Sequence, residues 1–147
     1  MIRCRPAILI VENNHVLLMK YVYENQAIYN FPGGNLEAEE LMIDTLVREC
    51  EEELGVEVEV GKMICFGQMS SNEHRKAALH ILFEGQIVGG IPTLQPKETT
   101  ANELVWWPIA NLGEIRLYPN LGDVLQDYLI TGKAQGFIGE IDQPWIG

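Results

Sequence analysis

Residues 34–56, GNLEAEELMIDTLVRECEEELGV, decide how the rest of the chain is arranged. Within them, apolar side chains recur at offsets of three, four and seven, which places them on one face of a helix. These side chains are Ile43, Leu46, Val47, Cys50 and Leu54. The pattern predicts a helix over about residues 40–54, and Gly55 is the expected C-terminal cap.

Three carboxylates converge on this helix. At about 100° per residue, Glu49 and Glu53 lie one turn apart, and Glu52 lies beside them. Acids in the last turn meet the negative end of the helix dipole, at a cost of about 0.3–1 kcal/mol each. A divalent cation such as Mg²⁺ would reverse that cost, because it takes oxygen ligands. The cluster therefore indicates a metal site. The alternative is a solvated acidic face that Arg48 partly neutralises through an i, i+4 pair.

A glycine turn, FPGG at residues 31–34, comes just before the helix. Gly33 and Gly34 allow backbone conformations and a close ligand approach that side chains would block. We therefore expect a polyphosphate or a metal ion to lie against this backbone, with both glycines binding substrate.

The turn and the helix together resemble the signature box of the Nudix hydrolases. Every specified position of the box is filled at the family's spacing, which makes the match far more specific than a lone glycine motif. Two departures change no ligand type: Glu39 stands where glycine is common, and Cys50 fills an apolar position. The matching residues are Pro32, Gly33, Gly34, Glu40, Arg48, Glu49, Glu52, Glu53, Leu54, Gly55 and Val56.

The resemblance implies an α/β/α sandwich in which a mixed, mostly antiparallel-edged sheet lies between helices. It also implies an active site where the glycine turn meets the helix, with one or more Mg²⁺ ions bound there. Mn²⁺ cannot be separated from Mg²⁺ on oxygen ligands alone. Arg48 would orient a carboxylate by a salt bridge. The implied metal ligands are Glu37, Glu49, Glu52, Glu53 and the carbonyl of Gly33.

The implied reaction is hydrolysis of the pyrophosphate of a nucleoside diphosphate linked to another group, as in a nucleoside triphosphate or ADP-ribose. Glu52 or Glu53 would act as the general base. Glu98 and Glu103 are alternatives from a later loop, since the family's loop glutamate varies in position. A second hypothesis is a catalytically silent module that senses a nucleotide. Such modules often lose box carboxylates, and this sequence keeps them all.

Composition limits the possible partners. The 147 residues fit one domain, over residues 1–147, and carry a net charge of −11 with a pI near 4.6. Nucleic-acid binders usually show a basic footprint, so a small nucleotide is the expected substrate. Three cysteines without a CxxC spacing favour reduced thiols and a cytoplasmic location. The sequence has no apolar run of 18 residues, and we predict no membrane association.

The flanking sequence predicts the remaining elements. Apolar runs at residues 7–11 and 16–19 surround a polar turn, which indicates a hairpin whose continuous apolarity requires helices on both faces of the sheet. Further strands are predicted at residues 29–31, 56–60, 63–67, 77–83 and 103–108, with helices at residues 109–112 and 120–130.

Two further segments leave alternatives open. Arg75, in a polar connection over residues 70–76, is a candidate to contact substrate phosphates or else lies at a solvated hairpin tip. His80, inside an apolar strand, is interpreted as a satisfied core histidine. The tail over residues 133–147 carries Phe137, Ile141 and Trp145, which pack on their own domain or across a homodimer.

Overall fold

The computed structural model describes residues 2–144 of the chain. Within that range the fold has eight strands, two α-helices and one 3₁₀ helix. In chain order they are β1 (Arg3–Glu12), β2 (His15–Tyr23), β3 (Gln26–Asn30), α1 (Met42–Leu54), β4 (Glu57–Met69), β5 (Ala78–Gly89), β6 (Glu103–Pro108), the 3₁₀ helix (Ile109–Glu114), β7 (Leu117–Tyr118), α2 (Gly122–Thr131) and β8 (Gly136–Glu140).

The strands form one mixed sheet in the order β7-β3-β2-β1-β5-β4-β8, and β6 pairs with β2. Strands β1 and β5 pair in parallel, whereas β4 and β5 are antiparallel. The sheet is mixed, as predicted: β7 pairs in parallel with β3 and β8 in parallel with β4, whereas β6 pairs antiparallel with β2. Neither edge strand is joined to its neighbour by a hairpin, which is the connection that makes strands antiparallel.

Hydrophobic cores lie on both faces of the sheet. Alternate residues of β1 point in opposite directions: Leu9 packs in the same cluster as Leu125 of α2, while Ile8 packs with Leu46 of α1. Each is almost fully buried, and burying such a side chain contributes about 1.5–3 kcal/mol. The two clusters confirm the predicted α/β/α sandwich and explain the continuous apolarity of the first two strands.

Helix α1 begins at Met42, two residues later than predicted. Glu39 adopts a left-handed backbone conformation, φ 66°, at the position where glycine is common. Leu41 is extended and forms the N-cap. Ile43, predicted on the apolar stripe, is 50% exposed. The helix end is as predicted, since Gly55 has φ 65° and its N–H bonds back to the last turn.

The other predicted elements are present with shifted boundaries. The segments at residues 56–60 and 63–67 are a single strand, β4, interrupted by register shifts after Val60 and Met63. Strand β5 continues to Gly89, and α2 begins at Gly122 instead of Asn120. Strands β7 and β8 were not predicted. No helix within residues 2–144 is long and apolar enough to cross a membrane.

The tail packs on its own chain. Strand β8 extends the sheet beside β4, and Ile141 is only 4% exposed in the cluster under α2. Phe137 remains more than half exposed, with its ring 5.2 Å from that of Phe66. Of the alternatives for the tail, packing on the same domain therefore holds for Ile141. Trp145 lies outside the described residues.

A gap in the sheet positions the glycine turn. Strands β1 and β2 pair only at their hairpin, where Val11 faces Val16 and Glu12 faces His15. Beyond that point β2 pairs with β3 and β6. An isolated bridge from Ala7 to the glycine turn takes the place of β1–β2 pairing. The turn is therefore held against β1, next to the start of α1.

Candidate active site

The glycine turn is attached to β1 by backbone hydrogen bonds. The N–H of Ile8 donates to the carbonyl of Pro32 at 2.9 Å, and the N–H of Gly34 donates to the carbonyl of Pro6 at 3.2 Å. A Cβ atom added at Gly33 would run into the Pro6 carbonyl oxygen and lie 2.8 Å from the Ala7 Cα. Only glycine allows this approach at position 33, which explains the first of the two glycines.

The second glycine leaves room for a carboxylate of α1. A Cβ added at Gly34 would lie 2.5 Å from Oε1 of Glu49 and 2.6 Å from its Cδ. The Glu49 side chain is only 14% exposed. The turn and the helix therefore meet where the sequence predicted, with the Glu49 carboxylate between them.

Arg48 holds several carboxylates at once. Its Nη1 donates to Oε1 of Glu49 at 3.1 Å and to Oε2 of Glu52 at 3.2 Å. Its Nε and Nη2 bind both oxygens of Glu40, at 2.8 and 3.1 Å. The carboxylate of Glu37 is 3.7 Å away. Arg48 therefore has four acidic neighbours. That it orients one of them for catalysis remains a prediction.

These hydrogen bonds change the pKa values of Arg48 and Glu40. The hydrogen bonds from Arg48, with a further one from Thr45, lower the pKa of Glu40 to about 2. The same pairing raises the pKa of Arg48. Both groups are therefore charged at neutral pH, and Glu40 is the main partner that fixes the guanidinium.

Glu53 is in the opposite situation. Burial, followed by the charge of Glu49 and by that of Glu52, raises its pKa to about 8, while Arg5 acts in the other direction. Repulsion among neighbouring carboxylates is the condition in which a bound cation is most favourable. Perturbed acids of this kind are typical of functional sites.

The carboxylates do not form a ready-made metal cluster. Within residues 2–144, no three His, Cys, Asp or Glu side chains are grouped closely enough to hold an ion. Arg48 binds one oxygen of Glu49 and one oxygen of Glu52. The donor set itself, carboxylate oxygens with no soft ligand, fits a hard divalent cation.

The two loop glutamates lie in different places. A cleft of about 310 Å³ is lined by Tyr21, Glu53 and residues 96–100, so Glu98 shares it with a box carboxylate. Glu103 lies on β6, is mostly exposed and pairs with Lys20 at 3.6 Å. The hydroxyl of Tyr21 lies 3.4 Å from that of Thr99 in the loop. The structure therefore brings Glu98, and not Glu103, to the cleft of Glu53.

Arg75 lies in a separate cleft of about 450 Å³, which Arg5 also lines. Its Nε donates to the carbonyl of Ser70 at 3.0 Å and its Nη1 to that of Gln143 at 3.2 Å. His80 is buried as predicted, but the interpretation of a satisfied histidine was wrong, because its Nε2 has no hydrogen-bond partner. Burial, with smaller effects from the two arginines, lowers its pKa to about 4.

Sequence reasoning missed two residues near the box. It gave Arg5 no role, and it treated Tyr21 as one of several aromatic side chains that pack or stack. Strand alternation could have found Tyr21, since it continues the side of β2 that Leu17 and Met19 occupy against α1. No comparable signal was available for Arg5, whose neighbours come from distant parts of the chain.

Comparisons with known proteins identify a family and several similar folds. A family model described as NUDIX domain matches residues 3–128. No curated protein matches. The solved structures with similar folds include the E. coli ORF135 protein, at 24% identity and a TM-score of 0.69, covering 91% of this chain and 93% of that chain. A MutT protein from Methanosarcina mazei Go1 gives 24% identity and a TM-score of 0.70, covering 89% and 95%. An ADP-ribose pyrophosphatase from Streptococcus suis 89-1591 gives 18% and 0.67, covering 97% and 100%.

Proposed function

Because the chain belongs to the NUDIX family and is a Nudix hydrolase, we propose that it is a metal-dependent enzyme that cleaves a pyrophosphate. The proposed substrate is a nucleoside diphosphate linked to another group, of the nucleoside triphosphate or ADP-ribose type. The similar structures include proteins named for MutT and for ADP-ribose pyrophosphatase, and both names fit this class.

The observation that carries the proposal is the position of the Glu49 carboxylate, which lies between Gly34 of the glycine turn and Arg48. Glu49 is also close enough to Glu53 for its charge to raise the pKa of Glu53. Members of this family generally use divalent metal ions. We propose that Glu49, Glu52 and Glu53 hold Mg²⁺ or Mn²⁺, assisted by the carbonyl of Gly33 and by Glu37. When bound, the ion would neutralise charge on the pyrophosphate oxygens and lower the pKa of the attacking water.

The chain's own residues have distinct tasks in this proposal. Arg48 holds Glu49 and Glu52 in place through its Nη1, and its own position is fixed by Glu40. Gly33 and Gly34 leave the backbone of the turn open to phosphate oxygens. Phosphoryl transfer depends mainly on positioning and charge stabilisation. Holding Glu49 and Glu52 in fixed positions would therefore increase the reaction rate directly.

Glu53 is our first candidate for the general base, and Glu98 from the neighbouring loop is the second. Both lie in one cleft, so either can accept a proton from a water there. A raised pKa makes Glu53 the stronger base once it is ionised, and a bound cation would favour that ionised form. Glu52 remains a third candidate, while the surface pair with Lys20 leaves Glu103 the weakest.

We also propose a cytoplasmic location, which the three free thiols support, since disulfides are rare in reducing compartments. Since none of the three cysteines forms a disulfide, mild reductants have no disulfide to cleave. A purified sample should keep its activity in millimolar dithiothreitol.

The proposal is tested by product release from a substrate panel. Nucleoside triphosphates, ADP-ribose, nucleotide sugars and dinucleoside polyphosphates are each incubated with Mg²⁺, Mn²⁺ or a chelator. The wild type is compared with Glu53→Gln and Glu52→Gln, and with Glu51→Gln as control. Glu51 lies on the same helix, but within residues 2–144 it makes no ion pair with Arg48, whereas Glu52 does. We expect metal-dependent turnover that falls at least about 100-fold in the two box variants and stays near wild type in the control.

Wild-type rates in both box variants would contradict the assignment of these carboxylates. A chain that binds a nucleotide tightly but turns nothing over would support the silent sensing module instead. Circular dichroism spectra of the variants should match the wild type, which shows that a loss of turnover is not a loss of fold.

A further inference from the structure

A cleft on the α2 side of the sheet collects positive charge. It has a volume of about 450 Å³ and is lined by Arg3, Arg5, Arg75 and Lys76, and we call it the basic cleft. These are four of the ten lysines and arginines in a chain of net charge −11. In so acidic a chain, this concentration of cations is the main exception to the overall charge.

The cations of the basic cleft lack carboxylate partners. Within residues 2–144, none of the four makes a salt bridge, whereas Arg48 has four acidic neighbours. Arg5 donates to the neutral amide oxygen of Asn35 at 2.7 Å, and Arg75 donates to two backbone carbonyls. Glu73 also lines the cleft, and its Oε1 lies 3.8 Å from Nε2 of His74. A concentration of positive charge without ion-pair partners attracts anions.

The register of the sheet builds the cleft. Strands β1 and β5 pair in parallel with Arg3 opposite Ala78 and Arg5 opposite His80. The loop before β5 then brings Arg75 and Lys76 to the same end of the sheet.

A buried histidine lies under this cleft. His80 packs against the edge of Tyr118, a lining residue, with ring centroids 5.3 Å apart. It is 2% exposed, and its Nε2 has no hydrogen-bond partner. A buried polar atom without a partner is costly, and this one belongs to a ring that contacts Tyr118 of the cleft wall.

The basic cleft is linked to the glycine turn through Arg5. The Nη1 of Arg5 donates to Oδ1 of Asn35, the residue that follows the glycine turn. A ligand bound at the turn therefore has Arg5 of the basic cleft as a neighbour.

We propose that the basic cleft binds a phosphoryl group of the substrate that is remote from the bond that is cleaved. This inference rests on the proposed function and narrows its substrate class. The enzyme would prefer substrates that carry an additional phosphate, such as nucleoside triphosphates or dinucleoside polyphosphates. ADP-ribose and nucleotide sugars end in an uncharged sugar, which gives the four cations nothing to bind.

The first test is binding of inorganic pyrophosphate without a metal ion. Isothermal titration calorimetry in EDTA compares the wild type with the double variant Arg3→Gln/Lys76→Gln. Neither side chain makes a hydrogen bond or ion pair within the described residues, so the fold should be unaffected. The control is Lys133→Gln, which removes a distant positive charge. We expect at least about tenfold weaker binding in the double variant only, and Glu53→Gln should bind as the wild type does.

The second test compares kcat/KM for a nucleoside triphosphate with that for ADP-ribose. In the double variant we expect about a tenfold loss for the triphosphate and little change for ADP-ribose. Pyrophosphate binding that does not depend on Arg3 and Lys76, or an equal loss for both substrates, would overturn the inference. Weaker pyrophosphate binding with unchanged kinetics would mean that the cleft takes a free anion, which also overturns it. If no substrate is turned over, the proposed function fails while the binding test still decides whether the cleft takes phosphate.

Discussion

The guanidinium of Arg48 donates hydrogen bonds to both oxygens of Glu40, with Nε 2.8 Å from Oε2 and Nη2 3.1 Å from Oε1. This bidentate pair leaves Nη1 directed at Glu49 and Glu52. Glu40 itself is fixed by the hydroxyl of Thr45, which donates to its Oε1 at 2.6 Å. Two of the three box carboxylates proposed as metal ligands, Glu49 and Glu52, therefore bind a guanidinium that Glu40 holds in place. Glu40 itself is not one of the proposed ligands.

Replacing Arg48 with lysine should keep the positive charge and lose the bidentate pair with Glu40. An ammonium cannot bind both oxygens of Glu40 in this geometry while also reaching Glu49. We expect kcat/KM to fall about 10- to 100-fold, with weaker metal dependence, as is typical when groups that orient metal ligands are changed. Steady-state kinetics over a range of Mg²⁺ concentrations measures this. Unchanged kinetics would mean that the carboxylates do not need Arg48 for their placement.

Gly34→Ala should displace the Glu49 carboxylate. The new Cβ would lie 2.5 Å from Oε1, and the side chain must move to relieve the overlap. We expect lower activity with only a small loss of stability, because the atom that must move is the end of a flexible side chain. Gly113→Ala is the matched control, since a Cβ there meets nothing within 4 Å. Equal activities in the two variants, measured beside thermal melting, would contradict this reading of the turn.

Glu98→Gln and Glu103→Gln should behave differently. Glu98 lies in the cleft of Glu53, while Glu103 forms an exposed pair with Lys20. If Glu98 assists proton transfer, its amide variant should lose at least about tenfold in kcat. The Glu103 variant should change activity and stability little, since exposed ion pairs contribute about 0–1 kcal/mol. Comparable kcat values for the two variants would remove Glu98 from the candidate bases.

His80 should make the fold sensitive to mild acid. Its pKa is lowered from 6.5 to about 4, so the unfolded chain takes up this proton at a higher pH than the folded chain. Its contribution to stability is therefore present above pH 6.5 and is lost as the pH falls towards 4. The loss should reach about 2 kcal/mol at pH 5.

Comparison with His80→Gln isolates this effect. The raised pKa of Glu53 acts in the opposite direction over the same range, since that carboxyl gains a proton more easily in the folded chain. Urea unfolding of the wild type and the variant at pH 7 and pH 5 cancels the contribution of Glu53. The difference in the free energy of unfolding between the two proteins should shift by about 2 kcal/mol in favour of the variant at pH 5. If the difference in the free energy of unfolding were the same at pH 7 and pH 5, the pKa of His80 would not differ between the folded and the unfolded chain.

Local patterns predicted the elements that have local causes. The spacing of Leu46, Cys50 and Leu54 gave the buried face of α1, and Gly55 gave its end. The start of the helix was placed too early because Glu39 is left-handed and Leu41 is extended, a local backbone conformation that the apolar periodicity does not reveal. The metal ligands and the role of Arg48 came from the resemblance to the family, and they remain predictions.

Register and distant pairing could not be predicted. The tail showed no strand alternation, and β8 exists because β4 offers it a free edge. The basic cleft combines the start of β1 with the loop before β5. The loop residues Arg75 and Lys76 were recognisable as a positive patch, whereas Arg3 and Arg5 carried no signal in the sequence. Glu98 and Glu103 were equal candidates until pairing of β6 with β2 placed Glu103 next to Lys20.

The parallel pairing of β1 with β5 also delays the completion of the sheet during translation. Arg3 pairs with Ala78, so β1 has no partner on that side until β5 has left the ribosome. At typical translation rates the wait is roughly 4 to 15 seconds. During that time β1 exposes the run AILIV at residues 7–11, which has the composition of an aggregation-prone edge. We therefore expect folding of the nascent chain to benefit from a chaperone that binds short apolar segments, and to be slow for its size because its contacts are distant in sequence.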